Sequence, residues 1–125
     1  MTLHTLSSGS QGNCLLLSDG GTHILVDAGI STRRIKTGLA QLELSMDELD
    51  GILITHEHTD HISGLATLIK HHTVPLYASP GTARQLAYRL AGVEPLLRPR
   101  DPGTEFCIGS CRVTAFATSH DAAQS

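Results

Sequence analysis

Three histidines and an aspartate lie close together near the middle of this 125-residue sequence, in the segment Thr55-His56-Glu57-His58-Thr59-Asp60-His61. Imidazole nitrogens and carboxylate oxygens are ligands that suit Zn²⁺, Mn²⁺ or Fe. In an extended segment alternate residues share a face, so the rings of His56 and His58 can converge on one metal while Glu57 points elsewhere. Asp60 and His61 follow and can face a second metal beside the first.

A purely structural role is the main alternative for this segment. The histidines could close a strand-to-helix loop, and Asp60 could serve as the N-cap of the following helix. That interpretation leaves three closely spaced histidines unexplained, so we favour metal binding. His120 is a further candidate ligand because it follows a predicted strand and precedes Asp121. A histidine in a surface loop is the alternative for His120.

The surrounding sequence predicts the elements that position these residues. A strand over 22–26 delivers Asp27, and the apolar run Ile52-Leu53-Ile54 predicts a buried strand that ends where the histidine segment begins. The alternation of predicted helices and strands predicts a single α/β or α+β layered domain over 1–125. The candidate ligands follow strand ends, which is where active sites of layered folds normally form. The remaining predictions are strands at 2–6, 14–17, 74–78, 105–108 and 112–117, and helices after Ser31, after Ser45, over 62–72 and from Ser79-Pro80 to Leu90.

The composition excludes several classes of protein. A formal charge of -3 gives no basic footprint of a typical nucleic-acid binder, and only 3% of residues are aromatic. No apolar run approaches membrane-spanning length and no targeting segment is evident, which predicts a soluble cytoplasmic protein with no membrane partner. Three cysteines are an odd number, so free thiols are expected, and Cys107 and Cys111 lack the spacing of a zinc knuckle.

The histidine segment resembles the HxHxDH signature of the metallo-β-lactamase superfamily. Asp27, after an apolar strand, is similar to the earlier aspartate motif of that family, and Ser119-His120-Asp121 is similar to its third motif. The resemblance implies that Asp60 is both a ligand and a proton acceptor, and that Asp27 braces the metal loop without touching a metal. It implies two divalent ions, with His56, His58 and His120 on the first and Asp60 and His61, the residues expected to be catalytic, on the second.

Three segments together resemble one branch of that superfamily, the YycJ (WalJ) exonuclease-like branch. They are Ser8-Gly9-Ser10-Gln11-Gly12-Asn13-Cys14 near the start, the stretch from Thr55-His56 through Gly64-Leu65, and Ser119-His120-Asp121-Ala122 near the end. The resemblance implies a phosphodiesterase that acts as a 5′-to-3′ exonuclease on DNA, with Zn, Mn or Fe as the metal. The backbone N–H groups of 9–13 could cradle a phosphate, although a plain turn explains this loop equally well.

The sequence also departs from the family pattern. The aspartate that bridges both metals and the later histidine that completes the second site have no counterpart here. The family fold is a four-layer αββα sandwich, of which this chain would supply the N-terminal half, as an apparently truncated domain. An uncovered apolar sheet face would then favour self-association. Two other functions stay open: a thioester or lactone hydrolase of the same fold, and a non-catalytic metal-binding fragment.

The other histidines and the basic residues of the first predicted helix receive structural interpretations. His71 and His72 end a predicted helix, where a cation favours the helix dipole, and His4 and His23 lie in predicted strands. Arg33, Arg34 and Lys36 are expected to form a solvated helix face.

Overall fold

The computed structural model describes residues 1–8, 12–55 and 64–114 of the chain. Six strands form one sheet in the order β1-β2-β3-β4-β5-β6. The first three strands pair antiparallel, whereas β3 to β6 pair parallel, so the carboxyl ends of these four strands meet at one edge. The strands are β1 (Thr2–Ser7), β2 (Cys14–Asp19), β3 (Thr22–Val26), β4 (Gly51–Leu53), β5 (Leu76–Ala78) and β6 (Leu97–Pro99), with β7 (Glu105–Ile108) and β8 (Cys111–Thr114) in a separate hairpin.

Helices follow the strands where the capping residues predict them. Ser31 caps α1 (Thr32–Gln41) by accepting a hydrogen bond from the backbone N–H of Arg34 at 3.2 Å. Ser79 caps α3 (Pro80–Arg89) by accepting a hydrogen bond from the backbone N–H of Thr82 at 3.2 Å, and Pro80 lies in the first turn of this helix. Between them lies α2 (Leu65–His71), and two short 3₁₀ helices span Met46–Glu48 and Glu94–Leu96.

The central sheet carries a different apolar cluster on each face. On one face, fully buried strand residues pack against the three helices to form the main core. On the other face, the β7–β8 hairpin packs against the sheet in a smaller cluster. The main core includes Leu16, Leu25, Ile52, Leu76, Ile35, Leu39, Leu65, Leu68 and Leu86, and the smaller one includes Ile24, Leu53, Tyr77, Phe106, Ile108 and Val113.

The predicted α/β layered fold is confirmed, with one strand missed and several boundaries shifted. No strand is predicted from the sequence at β6, because three residues ending in Pro99 are a weak strand pattern and proline is accepted only where a strand lies at a sheet edge. The strand predicted at 74–78 spans Leu76–Ala78, and the capping box at Ser45 and Glu48 starts a 3₁₀ helix. Residues 62–63 and 115–117 of two predicted elements lie outside the described residues.

The β7–β8 hairpin covers part of the sheet face that is expected from the sequence to be uncovered. Ser110, in the hairpin turn, donates its backbone N–H to the Thr22 hydroxyl at 2.9 Å and its own hydroxyl to the carbonyl of Asp19 at 3.0 Å. These bonds fix the hairpin over β2 and β3, so part of the face is covered. Leu3 in β1 stays 58% exposed, and self-association through the remaining surface stays a prediction. In the described ranges, no helix is long and apolar enough to cross a membrane.

The cysteines differ in accessibility, which predicts a selective chemical modification. Cys14 is 1% exposed, and burial, with a smaller contribution from the charge of Asp27, raises the pKa of its thiol to about 12. Cys107 is exposed on β7. Since the thiolate is the nucleophile, iodoacetamide near neutral pH should alkylate Cys107 rapidly and Cys14 only after unfolding. Peptide mass spectrometry checks this, and equal rates at the two cysteines in the folded protein would contradict the buried position of Cys14.

Candidate functional site

The structure describes the support of the candidate metal site, whereas the candidate ligands lie outside the described residues. Asp27 directly follows β3, and Thr55 precedes His56 by one residue just beyond β4. Gly64, the N-cap of α2, is the first residue described after the histidine segment. All five predicted ligands lie outside the described ranges; they are His56, His58, Asp60, His61 and His120.

Asp27 occupies a buried and unusual backbone position. Its φ is +64°, in the left-handed region that aspartate tolerates better than most residues, and its exposed fraction is 4%. The backbone N–H of Asp27 donates to the carbonyl of Leu53 at 2.7 Å, which ties it to the end of β4. Non-glycine residues in such conformations persist where surrounding contacts determine them, and they cluster at functional sites.

The Asp27 carboxylate binds Thr55 with both of its oxygens. Oδ1 accepts the backbone N–H of Thr55 at 2.8 Å, and Oδ2 accepts the Thr55 hydroxyl at 2.7 Å. Hydrogen bonds to a carboxylate are stronger than those between neutral groups, and two of them fix both the backbone and the side chain. The direction in which the chain enters the histidine segment is therefore set by Asp27.

Gly64, which follows the histidine segment, is hydrogen-bonded to the loop that begins at Asp27. Gly64 donates its N–H to the carbonyl of Ala28 at 2.8 Å, and its own carbonyl accepts the hydroxyl of Thr32 at 3.1 Å. Both ends of the segment are thus held by residues between Asp27 and Thr32. This arrangement restricts the positions that the intervening ligands can reach.

Close backbone approach at Gly64 predicts a strong sensitivity to substitution. A Cβ placed there would lie 1.9 Å from the carbonyl oxygen of Ile30, which is backbone and cannot rotate away. Gly64→Ala should lower the free energy of unfolding by about 3 kcal/mol. Urea unfolding followed by circular dichroism measures this loss.

The matched control for this substitution is Gly38→Ala in α1. The added Cβ would meet the Cδ2 atom of Leu6 at 2.9 Å, and the end of that side chain can move. Because alanine also favours a helix over glycine, the stability of this variant should change by less than about 1 kcal/mol. Equal stability losses in the two variants would show that the contact between Gly64 and Ile30 has no special importance.

The loop between β1 and β2 also contacts the loop that follows Asp27. Gly29 donates its N–H to the carbonyl of Asn13 at 2.8 Å, and a Cβ on Gly12 would lie 2.2 Å from the carbonyl oxygen of Gly29. Gly12 has a φ of +112°, which requires glycine. Gly12 is therefore packed against Gly29, which belongs to the loop that binds Thr55 and Gly64 on either side of the histidine segment.

The hairpin carries the chain back toward this edge. Its turn lies at the amino end of β3, where Ser110 contacts Thr22. At the other end of the hairpin, Phe106 in β7 stacks on Tyr77 in β5, and its partner in β8 is Val113. β8 consequently runs toward the edge where β3 and β4 end.

The described residues bear on the metal predictions in two ways. No group of three or more His, Cys, Asp or Glu side chains in 1–8, 12–55 and 64–114 could hold a metal. The predicted donors belong to the histidine segment and to His120, whose imidazole and carboxylate chemistry fits Zn²⁺, Mn²⁺ or Fe. Zinc shared by Cys107 and Cys111 is also disfavoured, because Cys107 pairs with Arg112 and Ile108 with Cys111, which places the two thiols on opposite faces of the hairpin.

The sequence predicts a supporting role for Asp27 but marks neither its partner Thr55 nor the bond between Thr32 and Gly64. Thr55 was included in the motif without a role, and Thr32 and Gly64 received none. A threonine directly before the first histidine was the available signal for Thr55. Nothing local marks Thr32 or Gly64, because their bond joins elements far apart in the sequence.

Comparisons with known proteins agree with this geometry. The sequence model of the Metallo-beta-lactamase superfamily matches residues 8–118. Exodeoxyribonuclease YycJ of Bacillus anthracis is 36% identical over 132 residues, covering 99% of this chain and 48% of that protein. Ribonuclease Z of Methanopyrus kandleri is 28% identical over 113 residues, covering 85% of this chain and 39% of that protein.

The fold comparison gives the same result. The solved structure of Rm3 metallo-beta-lactamase superposes with a TM-score of 0.74 at 27% identity, covering 93% of this chain and 48% of the other. The chain spans about half the length of the curated relatives it matches.

Proposed function

Because this chain belongs to the metallo-β-lactamase superfamily, we propose that it supplies the metal-binding half of a hydrolase that cleaves phosphodiester bonds. The substrate we propose is DNA, degraded from the 5′ end. Relatives named as exodeoxyribonuclease and ribonuclease Z support a nucleic-acid substrate over the acyl substrates considered from the sequence. In this proposal a second half of the sandwich completes the site.

The contact between Asp27 and Thr55 is the observation that carries the proposal. Two hydrogen bonds of 2.8 and 2.7 Å fix the residue that precedes His56, and the bond from Gly64 to Ala28 fixes the other end of the segment. Metal sites depend on such outer contacts to orient their ligands, and the loss of one commonly costs roughly 10–100-fold in metal affinity or activity. A loop that only connected a strand to a helix would not need a buried carboxylate beneath it.

Each predicted ligand has a distinct role in this proposal. His56, His58 and His120 hold one divalent ion, and Asp60 and His61 hold the other. Two bound ions would supply an activated water near neutral pH and stabilise charge on the phosphate oxygens. Asp60 also accepts the proton released by the attacking water, and Asp27 keeps His56 in position through Thr55.

Metal content per chain is the first test of this proposal. Elemental analysis of the purified protein, after loosely bound ions are removed, should give close to two metals per chain when the second half of the site is present. One metal per chain would support the alternative of an incomplete half-site. No bound metal, with an intact fold, would contradict the proposal.

The substrate class requires a separate assay. We expect hydrolysis of 5′-phosphorylated single-stranded DNA and no comparable hydrolysis of an acyl thioester or a lactone. The reverse preference would favour the thioester or lactone hydrolase of the same fold. Two bound metals without turnover of any of these substrates would favour a non-catalytic metal-binding protein.

A further inference from the structure

An arginine lies on a pair of stacked aromatic rings just beyond β6. The guanidinium carbon of Arg100 is 5.5 Å from the ring centroid of Tyr77 and 5.2 Å from that of Phe106. The two rings are 5.3 Å apart and inclined by only 15°. Nη1 of Arg100 donates to the carbonyl of Pro99 at 2.9 Å. The aromatic faces and this bond hold the guanidinium in place, although its side chain is long and flexible.

The sheet places Arg100 at the same edge as the candidate metal site. Tyr77 pairs with Leu53 on one side and with Arg98 on the other, and the N–H of Arg100 donates to the carbonyl of Ala78 at 2.8 Å. Arg100 therefore lies just past the end of β6, as Thr55 lies just past the end of β4. With neighbouring strands about 4.8 Å apart, the two positions are roughly 10 Å apart across the sheet.

The face of the sheet is also the same. Side chains alternate along a strand, so Arg100 shares a face with Arg98 and Tyr77, and Thr55 shares a face with Leu53. Leu53 and Tyr77 both belong to the apolar cluster beneath the hairpin. A ligand lying along this edge on the hairpin side could contact both Thr55 and the guanidinium of Arg100.

The charge of Arg100 has no acidic partner among the residues that the structure describes. The described ion pairs join Met1 to Asp19, His72 to Asp47 and Arg112 to Glu105, and none includes Arg100. Arg98 lies two residues farther from this edge, and its Nη1 donates to the carbonyls of Pro95 and Leu97. A fixed guanidinium that no carboxylate of these ranges neutralises is well suited to a phosphate group, which it can bind with two parallel hydrogen bonds.

We propose that Arg100 is a positioning residue that binds a backbone phosphate of the nucleic-acid strand whose end is cleaved. This inference rests on the proposed function and adds a contact outside the metal ligands. At roughly 3.4 Å per nucleotide along a stacked strand, the roughly 10 Å between Thr55 and Arg100 corresponds to about three nucleotides. Arg100 thus acts on substrate binding and alignment and takes no part in the chemical step.

Two substitutions of Arg100 and a matched control test this role in the complete protein. Arg100→Met keeps an unbranched side chain over the aromatic pair but removes the charge, and Arg100→Lys keeps the charge without the planar pair of donors. Arg98→Met removes the same charge from the same strand. The substrates are a 5′-phosphorylated single-stranded oligonucleotide and bis(p-nitrophenyl) phosphate, which is too small to span the distance to Arg100.

We expect Arg100→Met to raise KM for the oligonucleotide about tenfold, with kcat within about twofold and no change for the small ester. Arg100→Lys should recover part of this loss, and Arg98→Met should match the unsubstituted protein. An unchanged KM in Arg100→Met would overturn the inference. An equal rise for both substrates would also overturn it, because it would indicate a structural effect on the whole site.

Equilibrium binding separates failure of this inference from failure of the proposed function. Fluorescence anisotropy of a labelled oligonucleotide, read at several salt concentrations, should show a slope that falls by about one unit in Arg100→Met. Binding that depends on Arg100 without DNA cleavage would retain the inference and reject the nuclease function. DNA cleavage with binding unaffected by Arg100→Met would retain the nuclease function and reject the inference about Arg100. The absence of both binding and cleavage would reject the nuclease function and the inference together.

Discussion

Asp27→Ala is expected to lower the free energy of unfolding by about 4 kcal/mol. The variant loses two hydrogen bonds from Thr55 to a buried carboxylate, and alanine is strained at a φ of +64°. Metal affinity should fall by roughly a further 10–100-fold, because the entry to the histidine segment is no longer fixed. Denaturant unfolding without added metal measures the first effect, and a competitive chelator titration of the folded variant measures the second.

Asp27→Asn is the control that keeps the shape of the side chain. Asparagine tolerates the left-handed conformation, its oxygen can accept the N–H of Thr55, and its amide nitrogen can donate to the Thr55 hydroxyl, so both contacts can form without the negative charge. Its stability loss should be about half of that in Asp27→Ala, because hydrogen bonds to a charged group are stronger. If Asp27→Asn bound metal as tightly as the unsubstituted protein, the negative charge of Asp27 would have no role in metal binding.

His61→Ala should reduce DNA hydrolysis by about a thousandfold, since a catalytic metal contributes several kcal/mol to the transition state and each 1.36 kcal/mol is a factor of ten. The metal content should fall from about two ions to about one per chain, because His61 is proposed to hold the second ion. The stability of the metal-free protein should change little. Single-turnover assays and elemental analysis on the same preparation test both expectations together.

His71→Ala provides the matched control for loss of a histidine. His71 is an exposed residue of the last turn of α2, so its loss should leave both turnover and metal content unchanged. Activity retained in His61→Ala would exclude His61 from the second metal site. A loss of activity without any loss of metal would instead assign His61 a role in catalysis separate from metal binding.

The sequence by itself predicted the kind of chemistry and located most of the elements. Three histidines and an aspartate within one short segment indicate a metal site, since ligand identity is a local property of the side chains. Capping signals such as Ser31 and Ser79-Pro80 placed helices correctly, because a cap satisfies backbone groups only a few residues away. Apolar strands were identified for the same reason, through the pattern of burial along a short stretch.

Only the tertiary structure decided which residues support the site. The bonds from Thr55 to Asp27 and from Gly64 to Ala28 join segments far apart in the sequence, and no local pattern predicts such pairs. The short strand β6 and the position of Arg100 over Tyr77 likewise exist because the sheet brings them together. The sequence gives the side-chain types of the candidate ligands. The alignment of these side chains depends on long-range contacts that form only when the sheet and its loops are assembled.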